Sequence, residues 1–193
     1  MKDNKYCFLS TNDIGDVGEV ITAKTLRDDF GLTVVRTIYL PYKDKSVEID
    51  MIAISDKGIF VIENKNYTGM VYGHVDSDYW KVKYADTTIR MFNPISQNYA
   101  HCLAVEDLLH TYNKKLKFPI FNIVIFNDKA KLCLKQPRNV YKISDFKKYY
   151  DSLSSSDIMS FSRRTKIMKL LYSFSDGSQE RRDLHVESVR RNN

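Results

Sequence analysis

The 193-residue chain is short of the residues that mark small stapled or metal-bound scaffolds. Its three cysteines, Cys7, Cys102 and Cys133, lie far apart, with no CxxC and no Cys/His ligand spacing. This pattern predicts reduced, structural thiols in a cytoplasmic protein rather than a disulfide framework or a zinc ribbon. Long apolar runs are also missing. Segments such as MIAI and IVIF fall far below the roughly 20 residues that a membrane-spanning helix needs. The start, MKDNKYCFLSTND, has too short an apolar stretch for a secretory signal, so no membrane partner is expected. There is no internal repeat.

What the chain does have is core-forming material. Hydrophobic residues make up 43% of it, with 13 Tyr and 10 Phe, enough for one domain with an appendage. The formal charge of +6 is unevenly spread: residues 129–193 carry 15 Lys+Arg against 7 Asp+Glu, whereas residues 1–128 carry 15 against 17. A basic C-terminal third beside a slightly acidic remainder suits a polyanionic partner.

Sequence periodicity predicts a helix over 16–31 ending at Gly31, then a strand over 32–40 stopped by Pro41. Strands over 47–55 and 58–66 are joined at Asp56-Lys57, and a hairpin turns around 76–78. Asn93 and Pro94 open a helix over 93–112, followed by a strand over 118–126. KLCL and NVYKI are short strand candidates, and Ser144 caps a helix over 144–153. SLSSS (152–156) is a linker before a basic amphipathic helix and a polar tail. The expected fold is an α/β sandwich with a central mixed sheet flanked by helices. Its divisions are an extension over 1–13, a domain over 14–153, and a basic helix and tail over 154–193.

The most informative stretch is GIFVIENKNYTG, where a buried strand runs straight into Glu63, Asn64 and Lys65. Strand side chains alternate, so Glu63 and Lys65 share a face about 6.6 Å apart along the strand, and Asn64 points away. If the Asp56-Lys57 loop is even-numbered, Asp50 lies opposite Glu63 and Glu48 opposite Lys65, with Cβ atoms about 5 Å apart. Ile52, Ile54, Ile59 and Val61 continue that face. Two such carboxylates repel unless a proton or a cation lies between them. A hard divalent ion suits them, and Lys65 would face a water or an oxyanion there, the components of phosphodiester hydrolysis.

Two helices bring further polar groups. Glu19 falls on the stripe of Ala23, Leu26 and Phe30, and Gln97 on that of His101, Ala104 and Leu108. Gly15 and Gly18 let the first helix approach another backbone closely. Each residue has a plainer reading: a solvated strand end for Glu63 and Lys65, a polar strand residue for Asp50, a helix-dipole partner for Glu19, a satisfied amide for Gln97. Trp80 reads as a packing residue, and His101 is the one histidine placed near the site. The four polar residues on apolar faces carry weight together.

GDVGE (15–19), EIDMIAISDKGIFVIENKNYTGMVYG (48–73), Trp80 and NPISQNYAH (93–101) resemble the NERD, or nuclease-related, domain of the PD-(D/E)XK nuclease-like superfamily. The resemblance covers roughly 14–128, and less clearly extends to about 153. It implies a restriction-endonuclease-like sandwich, with Asp50 and Glu63 as ligands of Mg²⁺ or Mn²⁺ and Lys65 as catalytic lysine. Glu19 would support the metal or its water, and Gln97 would be the accessory polar residue. Asn64 stands where an apolar residue is commoner, and Ile49 where the superfamily's nominal residue is Pro.

The expected function is a metal-dependent nuclease, with DNA ahead of RNA as substrate and the basic segment 163–191 helping to hold phosphates. An inactive nucleic-acid-binding or assembly module that has kept the fold is the second reading. A homo-oligomer whose basic helix packs on a partner is the third.

Overall fold

A computed structural model describes residues 11–135 and 137–175. The polar tail from 176 onward, including much of the basic segment and His185, lies outside the described residues, as does Cys7. The first helix, α1 (Thr11–Asp28), leads into strands β1 (Thr33–Tyr42), β2 (Lys45–Ile54) and β3 (Ile59–Lys65). Three short strands follow: β4 (Met70–His74), β5 (Tyr79–Lys83) and β6 (Thr88–Phe92). Then come α2 (Pro94–Tyr112), β7 (Ile120–Phe126), β8 (Lys131–Lys135) and β9 (Val140–Lys142). Helix α3 (Ile143–Ser152), a 3₁₀ turn (Asp157–Met159) and α4 (Phe161–Tyr172) complete the described chain.

The strands form two mixed sheets. The larger has the order β1-β2-β3-β7-β9, antiparallel across β1, β2 and β3, then parallel to β7 and β9. The smaller has the order β6-β5-β4-β8, with β4 and β8 parallel. Both faces of the larger sheet are covered. Ile52, Ile54, Ile59 and Val61 pack with Ala104, Val105 and Leu109 of α2 and Ile167 and Leu171 of α4. Met51, Ala53, Phe60 and Ile62 pack on the other face with Ala23 and Leu26 of α1 and Phe146 of α3. Two-sided burial explains why β2 and β3 are apolar without interruption over their paired residues. No described helix is long and apolar enough to cross a membrane.

Local chemistry sets the boundaries. Gly31, at φ 65°, ends the first helical segment: its N–H donates to Arg27 O at 3.1 Å, a left-handed cap that a side chain would strain. Asn93 caps α2, its Oδ1 accepting from the Ile95 N–H at 3.0 Å, with Pro94 as first helical residue. Two expected boundaries are corrected. Pro41 does not stop β1, which continues to Tyr42; β1 is an edge strand, where a missing N–H donor is tolerated. Ser144 does not cap α3, which begins at Ile143; instead Asp128 Oδ1 accepts from both the Ser144 N–H and its Oγ, at 3.1 and 2.9 Å.

Candidate active site at the rim of the larger sheet

Pairing between β2 and β3 runs from Ile54↔Ile59 to Met51↔Ile62 and stops there. This is the even-loop register, and it sets Asp50 and Glu63 next in line where the ladder ends. The Asp50 carboxylate takes the place of a strand carbonyl: its Oδ2 accepts from the Asn64 N–H at 2.8 Å. On its other side, the β1–β2 ladder skips one position between Arg36↔Met51 and Ile38↔Ile49. The residue there is Thr37, at φ 48°, a left-handed conformation that costs a β-branched residue about 1–3 kcal/mol. Regular pairing thus lapses on both sides of Asp50.

Glu63 is almost wholly buried, at 1% exposure. Its Oε1 accepts from Lys65 Nζ at 2.5 Å, and its buried Oε2 has no hydrogen-bond partner, lying 3.5 Å from His101 Nδ1. Lys65 Nζ also donates to Gln97 Oε1 at 3.4 Å. Gln97 and His101, one turn apart on α2, close the site from above. Asp50, Gln97, His101, Glu48, Val47 and Ser46 line an open cleft of about 320 Å³.

The ionisation of these groups is mutually dependent. Burial, followed by the charge of Glu63, pushes Asp50 up to about 8, against the pull of the Asn64 N–H and Lys65. Burial likewise raises Glu63, with Lys65 opposing and Glu19 and Glu48 adding to the rise. For Lys65, burial alone would lower the pKa, but Glu63, Asp50 and Tyr67 together hold it above the ordinary lysine value. The rim therefore joins a lysine held charged to two carboxyls that resist being charged together.

The structure brings Asp50, Glu63, Lys65 and Gln97 to one rim. Glu19 shares the helical stripe of Ala23 and Leu26 and lies near enough to act on Glu63, but its Oε2 accepts from Arg36 Nη2 at 3.3 Å. Helix α1 begins at Thr11 rather than at 16, so Gly18 lies inside it and not at its start; a Cβ there would be 2.6 Å from the Asn66 side chain, just past the end of β3. Asn64 points to the opposite face, where its Oδ1 accepts from Thr22 Oγ1 at 2.8 Å. Cys102 is buried, which pushes its thiol up to about 12 and suits an inert structural role.

Sequence reasoning missed Asn98. It is fully buried, and its Nδ2 reaches Val61 O, Ile123 O and Asn122 Oδ1 at 2.8–3.0 Å, fastening α2 across β3 and β7. Asn122 Nδ2 in turn donates to Ile95 O at 3.0 Å. The signal was available: Asn98 lies on the stripe of Cys102, Val105 and Leu109, as Gln97 lies on its own.

The donor set can be tested against a divalent ion. A buried carboxylate oxygen without a hydrogen-bond partner, a neighbouring carboxyl raised by burial and then by the charge of Glu63, and an open cleft fit a hard cation held by two carboxylates and waters. Among the described residues, no group of three or more His, Cys, Asp or Glu is gathered for a metal, so water would complete the shell.

Two covered faces and a polar rim make this a mixed α/β sandwich with its charged site at a sheet edge. Residues 14–127 match the model of the nuclease-related domain, NERD, and the chain belongs to that family. An uncharacterized protein of Bacillus anthracis is 32% identical over 117 residues, covering 61% of this chain and 51% of that protein. The chain therefore matches about half the length of that curated relative. A crystal structure of a protein of unknown function, AF1548, aligns over 92% of this chain and 97% of that one, with 13% identity and a TM-score of 0.37.

Proposed function

We propose that this protein is a Mg²⁺- or Mn²⁺-dependent nuclease that hydrolyses phosphodiester bonds in DNA. One observation carries the reading: Asp50, Glu63, Lys65 and Gln97 meet where the larger sheet loses its pairing, beside an open cleft. Membership of a nuclease-related family supports it. Asp50 and Glu63 would hold the ion. When bound, the ion supplies Lewis-acid stabilisation of phosphoryl charge and a more acidic water.

The chain's own groups do the rest. Lys65 carries a positive charge beside Gln97, which lines the cleft, oriented by Glu63 Oε1 and Gln97 Oε1, and stabilises negative charge building on the phosphate oxygens. Such a charge needs no reorganisation at the moment of reaction. Gln97 limits where the ammonium can point. Glu19, shared with Arg36, is assigned the supporting carboxylate on α1.

The test is cleavage of single- and double-stranded DNA by the full chain with Mg²⁺, Mn²⁺ or EDTA. Activity is expected only with a divalent ion and lost in Asp50→Ala and Lys65→Ala, with folding checked by circular dichroism. Cleavage that survives both substitutions, or needs no divalent ion, overturns the proposal. One observation favours a second reading, an inactive nucleic-acid-binding module: Glu19 is committed to an ion pair with Arg36. Binding without cleavage under every ion condition would support that alternative.

A further inference from the structure

The smaller sheet has a face that the candidate active site does not use. Its inner face packs Val71, Trp80, Val82 and Met91 into a core with Val124 and Phe126 of β7. Alternation then sends the intervening side chains outward. Three of these are exposed aromatics: Tyr72 at 39%, Tyr79 at 48% and Phe92 at 48%. Strand register ranks them among cations. Arg90, Lys81 and Tyr72 stand side by side on β6, β5 and β4, with Tyr79 opposite Phe92 two residues along. Lys83, Lys131 and Lys135 complete the set and are exposed. No Asp or Glu points outward from these four strands; the acidic residues, such as Asp76, Asp78 and Asp86, are confined to the turns.

The aromatic rings are also held in place. The Arg90 guanidinium carbon lies 3.7 Å from the Tyr79 ring centre, and Phe92 meets Tyr79 edge-on at 5.8 Å. Ordering these side chains in advance lowers the entropy lost when a ligand stacks on them. Five cations with no anion on the face disfavour pairing with a second copy, because like charges would meet. Exposed rings interleaved with Lys and Arg are instead suited to a polyanion with free π-faces.

We propose that the outer face of the β6-β5-β4-β8 sheet binds single-stranded DNA, its bases stacking on Tyr79, Phe92 and Tyr72 and its phosphates meeting Lys81, Lys83 and Arg90. A duplex keeps its bases stacked on each other and offers the rings nothing, so the surface distinguishes strandedness. The choice of DNA rests on the nuclease reading, although binding here does not require cleavage. Phe92 is five residues before Gln97, a chain reach of at most about 18 Å, so a strand bound there lies close to the rim. Asn93 makes that link stiff, its Nδ2 donating to Val75 O and Ser77 O in the β4–β5 turn at 2.9 and 2.8 Å.

The experiment is fluorescence anisotropy of the full chain with a labelled 12-nucleotide DNA in EDTA, where metal-dependent cleavage is silent. Single strand is expected to bind at least about tenfold more tightly than the same sequence as duplex. Tyr79→Ala with Phe92→Ala should weaken it about tenfold or more. Lys81→Ala with Lys83→Ala should flatten the log–log salt dependence by about 1.4, two phosphate contacts on a single strand. Equal affinity for duplex, tighter binding of the matching RNA, or indifference to the aromatic pair overturns the proposal. An enzyme that fails to cleave but binds in this way overturns only the nuclease reading. One that cleaves with the aromatic pair irrelevant to binding overturns only this inference.

Discussion

The two sheets of this protein meet solvent in opposite ways. The larger is covered on both faces, so its polar chemistry is confined to the rim where β2 and β3 part. The smaller buries one face and leaves the other open, so its strands alternate between core and surface. In the first, a charged residue is affordable only with partners at hand, and each of Asp50, Glu63 and Lys65 has them. In the second, charges cost little because water reaches them. The contrast separates a site built for chemistry from a surface built for contact.

The sharpest way to break this comparison uses neighbours on β5. Trp80 is buried against Phe126, and Tyr79 faces out. Trp80→Ala is expected to cost about 3–5 kcal/mol in urea unfolding. Tyr79→Ala should stay within about 0.5 kcal/mol. Similar losses at both positions would show that the outer face is part of the core.

The rim is tested next, by pH. Asp50 titrates near 8 in the folded protein against an ordinary value of 3.8, so the folded state holds an extra proton between the two. Its contribution to stability is therefore present below about pH 4 and is lost as pH rises through about 8. In EDTA, thermal melts of the native chain should show Tm falling across that window. Asp50→Asn should flatten the fall and raise Tm at pH 8 by more than about 2–4 °C, the shift corresponding to about 1 kcal/mol in a chain of this size. A variant with an unchanged slope would remove Asp50 as the strained group.

The smallest expected effect within the rim belongs to Asn64, between two site residues but on the other face. Asn64→Ala loses the bond from Thr22 Oγ1 and should cost about 1 kcal/mol while leaving any cleavage rate unchanged. A large loss of activity with intact stability would refute the assignment of faces.

Strand parity made much of the rim legible in advance. Two-residue alternation across an even loop placed Asp50 and Glu63 on one face and Asn64 on the other, and the observed register agrees. Helical stripes correctly turned Gln97 and His101 inward. Pairwise electrostatics was not legible: nothing local to Glu19 announces Arg36, whose proximity depends on how α1 lies across β1. Thr37 was hidden for a similar reason, because a left-handed threonine is imposed by its surroundings rather than by its own preference. The second sheet was only half visible. Its first hairpin was expected, but β6 (TIRMF) has little apolar alternation to announce it, although it pairs with β5 across only the short 84–87 connection.

The central claim is that Asp50 and Glu63 are held together for a divalent cation. Its most direct test is calorimetric titration of Mn²⁺ into the full chain at pH 7, in two buffers of different ionisation enthalpy. The account predicts saturable binding accompanied by proton release, because a carboxyl raised to about 8 must give up its proton to the ion, and loss of that binding in Asp50→Asn. Absence of saturable binding, or binding unchanged by Asp50→Asn, would contradict it.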